Sequence, residues 1–192
     1  MKIATFNHTF DYHERRGNIS DIARSLGAQP RYLGHTPIPY SIAQHAVACC
    51  VLAQERQLSE RDQFTALMHD AAEAYCGDLP NPVKKHLSDY TDLIEKVEHS
   101  LAEQFDFDMP EPELVKQVDF DLYQFERRGI SKSRHFPHHA SPEPPPPRTQ
   151  DVLSRVWPYP EARSAFVLLY DQYRPQADLD FHLTVPKCDG IF

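Results

Sequence analysis

The sequence predicts a mostly α-helical single domain that opens with a short β-hairpin. Three observations carry that expectation. The chain has 192 residues, 41% of them hydrophobic, which is enough for one substantial core and too little for two. Glycine is scarce, at 6 residues, while apolar side chains recur at helical spacing in one segment after another. Strand-like alternation is confined to Lys2–Tyr12, where ATFNHTFDY suits a two-stranded hairpin.

The helices follow in order. Asn18 or Ser20 caps a short helix, SDIARSL, with Ile22, Ala23 and Leu26 on one face and Gly27 at its end. After the Pro37 and Pro39 breakers, Tyr40–Gln57 carries Ile42, Ala43, Ala46, Val47, Cys50 and Leu52 at helical spacing. Ser59 caps ERDQFTALMHDAAEAYC, which should run without interruption to Gly77. Beyond the turn GDLPNPVKK, residues Asp89–Phe105 place Leu93, Ile94, Val97, Leu101 and Phe105 on one stripe. Pro110 and Pro112 open a further helix through Val115, Val118, Leu122 and Phe125 to about Arg128.

Of the 17 prolines, 6 fall within residues 137–147. Ser131–Gln150 therefore reads as an exposed loop, partly polyproline II, whose His135, His138 and His139 lack a carboxylate or cysteine at ligand spacing. A last helix, Glu161–Tyr173, returns Ala162, Ala165, Phe166 and Leu169 to the core, and residues 174–192 form an irregular tail. The domain core is thus expected at about residues 19–128 plus 161–173, within a single domain of residues 1–192.

Charge narrows the function. With 20 basic and 28 acidic side chains the net charge is −8, which disfavours a nucleic-acid polymer or an anionic membrane as partner. A small phosphorylated substrate remains compatible, since a few cations suffice for it. No apolar run reaches the ~18 residues of a membrane span, and the first residues lack the apolar region of a signal peptide, so a cytoplasmic location is expected. Cys49, Cys50, Cys76 and Cys188 form neither a disulfide framework nor a zinc motif and read as small buried hydrophobes.

The segment that carries chemistry is LMHDAAEAYCGDLP. It sets His69 beside Asp70 in an apolar helix; successive helical residues differ by about 100°, so the two meet only at an ion lying across their two faces. Imidazole and carboxylate together suit a borderline divalent metal. Further ligands are offered by His45, flanked by alanines, and by Asp119 or its rival Asp121 near Val118 and Phe120. A charge in such apolar company is costly unless it is paired or metal-bound. Glu73 lies three residues after Asp70 and four after His69, on nearly the same face. Arg31, in a Pro-Arg-Tyr loop, offers a guanidinium fork for phosphate.

The order His, His–Asp, Asp on three helices resembles the HD-domain metal-dependent phosphohydrolases. HDAAEAYCGDLPNPVKK is similar to the HDxxE and GDLPxPVK block of bacterial HD-type 5′-deoxynucleotidases, and VKQVDFDL to the run that ends on their last metal aspartate, which favours Asp119. ISDIARSL, RYLGHT and PYSIAQHA resemble the entry of small phage and bacterial HD proteins, some of which are dATP triphosphohydrolases. The likeness spans about Ile19–Arg128. It implies an HD-type helical bundle in which His45, His69, Asp70 and Asp119 hold one divalent ion (Co, Mn, Zn, Fe or Mg). It further implies that Glu73 serves in catalysis, that Arg31 orients the phosphate, and that Tyr32, where those enzymes usually carry Trp, shapes the pocket. Asp78, Leu79, Pro80 and Asn81 would lie against the sugar, with Lys84 as a further contact. The implied activity is hydrolysis of nucleoside or deoxynucleoside 5′-monophosphates, by a protein that forms homo-oligomers. Two alternatives stand beside it. One is a deoxynucleoside triphosphohydrolase, which would draw extra cations from Arg15, Arg16, Arg24, Lys84 and Lys85. The other is a catalytically silent module that binds a nucleotide or a partner protein.

Overall fold

In the computed structural model of the chain, residues 1–131 and 144–174 are described. Strands β1 (Lys2–Ala4) and β2 (Thr9–Asp11) pair antiparallel, with Ile3 opposite Phe10. The hairpin is too short to be stable alone. It is held by Phe10, which is fully buried and stacks on Tyr75 at 3.8 Å between centroids. It is held also by Asp21, whose carboxylate accepts from Thr5 Oγ1 at 2.6 Å and Asn7 Nδ2 at 2.7 Å.

Asp21 belongs to α1 (Ile19–Ala28), whose cap is Asn18: its side chain accepts from the amides of Ser20 and Asp21. Gly27 lets this helix approach α9 (Tyr159–Tyr173) closely, since a Cβ there would stand 3.3 Å from the Tyr159 ring. Between them and the rest runs α2 (Ile42–Glu55), capped by Ser41 and buried at every position from Ile42 to Ala53. A helix that is apolar all round belongs at the centre of a bundle, and α2 has a core on each side. One core joins Phe10, Ile22, Leu26, Val47, Phe64, Leu101 and Phe166; the other joins Ala48, Leu52, Ala66, Val115, Val118 and Leu122. The fold is thus a helical bundle with one small N-terminal hairpin. Among the described residues no helix is long and apolar enough to cross a membrane.

Three expectations change. The helix from Ser59 does not run through to Gly77: α3 (Glu60–Met68) stops, residues 69–72 form turns, and α4 (Glu73–Cys76) resumes. The cause is local. His69 Nδ1 donates to the Ala66 carbonyl at 2.9 Å, and the backbone tightens to three-residue bonds from Ala71 to Met68 and from Glu73 to Asp70. Gly77 ends α4 with φ 82°, a conformation open to glycine. The GDLPNPVKK turn holds a short helix, α5 (Asn81–Lys84), before α6 (Ser88–Phe105). After α7 (Glu113–Glu126) and a wide turn at Arg127–Ser131, the end of the proline-rich stretch is α8 (Pro147–Leu153) rather than loop. Proline is at home in a first helical turn, and the first amides of α8 have a partner in α2. Glu55 accepts from Arg148 N at 2.8 Å, Thr149 N at 2.9 Å and Thr149 Oγ1 at 2.7 Å, and Thr149 is fully buried. His135, His138, His139 and the tail from residue 175 lie outside the described residues.

Glu55 therefore caps α8 from a distance. Glu55→Ala should lower the free energy of unfolding by about 1–2 kcal/mol in urea titrations, the usual worth of a lost helix cap. An unchanged midpoint would mean that α8 is held by its apolar side chains alone.

Candidate functional site

Four segments deliver polar side chains to one point beside α2. His45 lies one turn into α2 and is entirely buried. His69 stands at the end of α3, turned by its bond to Ala66, and Asp70 follows in the tightened turn. Asp119 follows Val118 on α7, so the burial of Val118 sets the helix phase that brings Asp119 to the edge of the core. His45 Nε2 is 3.3 Å from His69 Nε2, 3.1 Å from Asp119 Oδ1 and 3.7 Å from Asp70 Oδ2. His69 Nε2 is 3.2 Å from Asp70 Oδ2 and 4.0 Å from Asp119 Oδ1. Asp121 is directed elsewhere, onto Arg56 at 2.6 Å and Gln117 at 2.8 Å.

The hydrogen bonds fix the tautomers. His69 Nδ1 donates to a carbonyl and His45 Nδ1 to the Glu126 carboxylate at 2.7 Å. In their neutral forms both rings therefore present bare Nε2 lone pairs to each other and to two carboxylates. Acceptors so placed repel unless a positive charge lies among them. The titration tendencies agree. Burial pushes both histidines down, but carboxylates (Asp70 for His69; Glu126 and Asp119 for His45) outweigh it and hold both above the ordinary value. Burial likewise pushes Asp70 up, and His69 more than reverses it. This chemistry, two imidazole nitrogens and two carboxylate oxygens facing inward, fits a divalent ion.

Arg31 overlooks the same point from a 3₁₀ turn, Arg31–Gly34. Its Nη1 is 3.4 Å from Asp70 Oδ2 and its Nε 3.5 Å from Glu126 Oε2. The turn is pinned by Arg31 N donating to Tyr40 O at 2.8 Å, and it holds Tyr32 and Leu33 at φ 57° and 53°. Left-handed backbone costs about 1–2 kcal/mol at each such residue. Part of what sustains it is the Tyr32 hydroxyl, which donates to Glu126 at 2.5 Å.

Glu126 is the residue that sequence reasoning missed. It is fully buried and gathers Tyr32, Tyr40 (2.8 Å), His45 and Arg31 around one carboxylate. Burial pushes its pKa up, but His45 and Arg31 bring it down to about 2. A signal was present: Glu126 continues the apolar stripe Val115, Val118, Leu122 at steps of three and four residues, and a charge in a buried stripe needs partners. Composition alone marks Cys49 as a small hydrophobe. It is buried, but its Sγ lies 3.5 Å from His45 Nε2.

Glu73 is buried on α4, with Oε1 3.1 Å from Lys84 Nζ. Its Oε2 has no hydrogen-bond partner among the described residues. Burial, then Asp70 and Asp78, push its pKa well above the carboxylate range, against the pull of Lys84. Asp78 is half-buried and raised by burial, with Arg31 opposing. Leu79 and Pro80 are half-buried in the link to α5, and Asn81 begins that helix exposed. Of the other cations, Arg24 lies over the Phe6 ring at 3.6 Å and Arg15 Nη1 reaches Tyr12 O at 3.3 Å.

Comparison with known proteins bears on this arrangement. The family model described as 5′-deoxynucleotidase YfbR-like matches residues 35–123. The chain is 37% identical over 132 residues to the uncharacterized protein YfdR of Escherichia coli (strain K12), covering 67% of this chain and 71% of that one. It is 28% identical over 158 residues to an uncharacterized protein of Rhodobacter capsulatus, covering 77% and 81% respectively.

Because Glu126 sits at about 2 in the folded chain, its stabilising charge is present above the usual carboxylate pKa and is lost as pH falls toward 2. The gap in urea stability between wild type and Glu126→Gln should therefore be widest above about pH 5 and shrink as pH is lowered toward 3. A gap that does not change with pH would show that the carboxylate's charge is not what the surrounding donors require.

Proposed function

The chain belongs to the 5′-deoxynucleotidase YfbR-like family of HD-domain phosphohydrolases, and from that membership we propose that it hydrolyses nucleoside and deoxynucleoside 5′-monophosphates, with one divalent ion, to nucleoside and phosphate. The observation that carries the reading is the convergence of His45, His69, Asp70 and Asp119 with Arg31 and an unpartnered Glu73 oxygen beside them.

Those four residues are the ligands in this reading. The divalent ion, when bound, lowers the pKa of a water molecule and draws charge from the phosphorus. The chain's own residues do the rest. Arg31, backed by Glu126 and Asp70, presents its fork to the phosphate oxygens. Glu73 Oε2 stands free to accept a proton from water, and burial beside Asp70 and Asp78 raises the proton affinity of this carboxylate. Lys84 holds the other Glu73 oxygen and so fixes the direction in which Oε2 points. Asp78, with Leu79, Pro80 and Asn81, borders the sugar, and the Tyr32 ring, tethered by its hydroxyl, walls the pocket.

The supply of cations favours a monophosphate. A triphosphate needs two or three more positive groups than Arg31. Of the five the sequence offers, Lys84 is paired with Glu73, and Arg15 and Arg24 are engaged with Tyr12 and Phe6 of the hairpin, which leaves Arg16 and Lys85. The acidic surface, with a net charge of −8, supports small nucleotides over a polymer.

The test is to incubate the metal-replete protein with nucleoside mono- and triphosphates and identify the products by mass. Release of phosphate from monophosphates is expected; triphosphate as the product would favour the triphosphohydrolase, and no product from any nucleotide would favour the silent module. Glu73→Ala should retain metal and substrate while kcat falls by roughly 10²–10⁴-fold. Arg31→Ala should raise KM, and Arg31→Lys should restore only part of the loss because an ammonium cannot act as a fork. Full turnover by metal-loaded Glu73→Ala would remove Glu73 from the mechanism.

A further inference from the structure

Cys49 follows His45 by four residues on α2, so the two side chains emerge from one face of the helix. The ligand atoms of His45, Cys49, His69 and Asp119 all lie within 4.8 Å of one another. Three of these are the donors described above; the fourth is a thiol. The spacing has the size that coordination demands. Around an ion with five donors, bonds of about 2.3 Å to sulfur and 2.0–2.1 Å to nitrogen at angles of roughly 90–120° put sulfur and nitrogen about 3.1–3.8 Å apart and two nitrogens about 2.9–3.6 Å apart. The corresponding distances are 3.5 Å from Cys49 Sγ to His45 Nε2 and 3.3 Å from His45 Nε2 to His69 Nε2. The Asp119 oxygen, at 3.1 Å and 4.0 Å from the two nitrogens, brackets the same edge.

Among the described residues, the surroundings give the sulfur no competing polar task. Cys49 lies in the core formed with Ala48, Leu52, Ala66, Val115 and Val118, and the polar atom it meets is His45 Nε2.

We propose that Cys49 Sγ is a ligand of the divalent ion, and that the site therefore takes a thiophilic first-row metal of the Zn²⁺ or Co²⁺ class in preference to Mg²⁺. A soft sulfur donor selects such ions, whereas an all-carboxylate and imidazole set leaves harder ions competitive. On coordination the thiol proton passes to solvent and the sulfur binds as thiolate. Thiolate, Asp70 and Asp119 then set three negative charges against the two of the ion, and Arg31, 3.4 Å from Asp70, offsets the third. The inference rests on the reading that this donor group holds a divalent ion.

The test uses Co²⁺ as a spectroscopic probe, titrated into the full chain after metal is stripped from it. Wild type should develop visible ligand-field bands together with a near-ultraviolet sulfur-to-cobalt band, both saturating at one equivalent. Cys49→Ser and Cys49→Ala should keep the visible bands and lose the near-ultraviolet one. Cys49→Ala keeps an apolar side chain in the core, in case the buried serine hydroxyl unfolds the chain. In competition against Co²⁺, Zn²⁺ affinity of the variants should fall by at least the roughly 10–100-fold that even outer partners of a ligand are worth, and Mn²⁺ affinity by much less. Visible bands without the near-ultraviolet band in wild type, or a near-ultraviolet band that survives in both variants, would overturn the assignment of Cys49 and leave the ion site standing. No uptake of Co²⁺ by wild type would overturn the ion site and the assignment together.

Discussion

The structure turns on a confrontation of acceptors. Two imidazole nitrogens and two carboxylate oxygens face one another at 3.1–4.0 Å at the edge of the core, with the outer nitrogens of both rings already committed as donors. In water such groups would separate. Here they are held by segments that have other reasons to be where they are, so the cost of bringing them together falls on the packing of the bundle. That cost is removed when a cation enters. Donors gathered in this way by the packing of the fold form a preformed site, which is the basis of metal-dependent chemistry.

The supports can be named. Helix α2 is buried on all sides and cannot rotate to relieve His45 without disturbing both cores. The break after Met68 aims His69, and the side-chain bond that makes the break also sets the tautomer. On the far side of His45, Glu126 joins the imidazole to Arg31 and to the strained turn that carries it. In the proposed reading, ligand and phosphate clamp thus share one buried carboxylate. An outer carboxylate behind a ligating histidine raises the basicity of the ring and fixes its direction. Here the same group also fixes the guanidinium, so that ion and phosphate oxygens would be placed by a single network.

How much of this was legible follows from where each residue's constraint is local and where it is not. Helix positions followed from apolar spacing, and α6 and α9 are close to their expected bounds because nothing interrupts their stripes. The interruption at His69–Ala72 was not legible, because it comes from a side chain taking a carbonyl one turn back, and periodicity does not register that. Helix α8 was hidden by its prolines, which mark loops in composition yet begin helices in fact; its cap, Glu55, is more than ninety residues away in the chain. His45, His69 and Asp70 stand in apolar company that marks them as candidates, but it is the likeness to HD-type phosphohydrolases that joins them into a set and gives Glu73 and Arg31 their roles. Glu126 and Cys49 were passed over for opposite reasons. Glu126 looked like one more acidic residue near a helix end, and Cys49 looked apolar. Only the meeting of α2 with α7 gives either a task.

The central claim is that the donor group holds one divalent ion, and counting ions tests it most directly. The chain, purified without chelator and freed of loose metal by gel filtration, should retain one divalent ion per chain by elemental mass spectrometry. Removing it with a chelator should lower the unfolding temperature, since a ligand present at a hundred times its dissociation constant adds about 2.7 kcal/mol to the folded state. Resupplying the ion should restore that temperature. A chain that retains no ion, takes none up when supplied, and unfolds at the same temperature with and without chelator would contradict the account at its root.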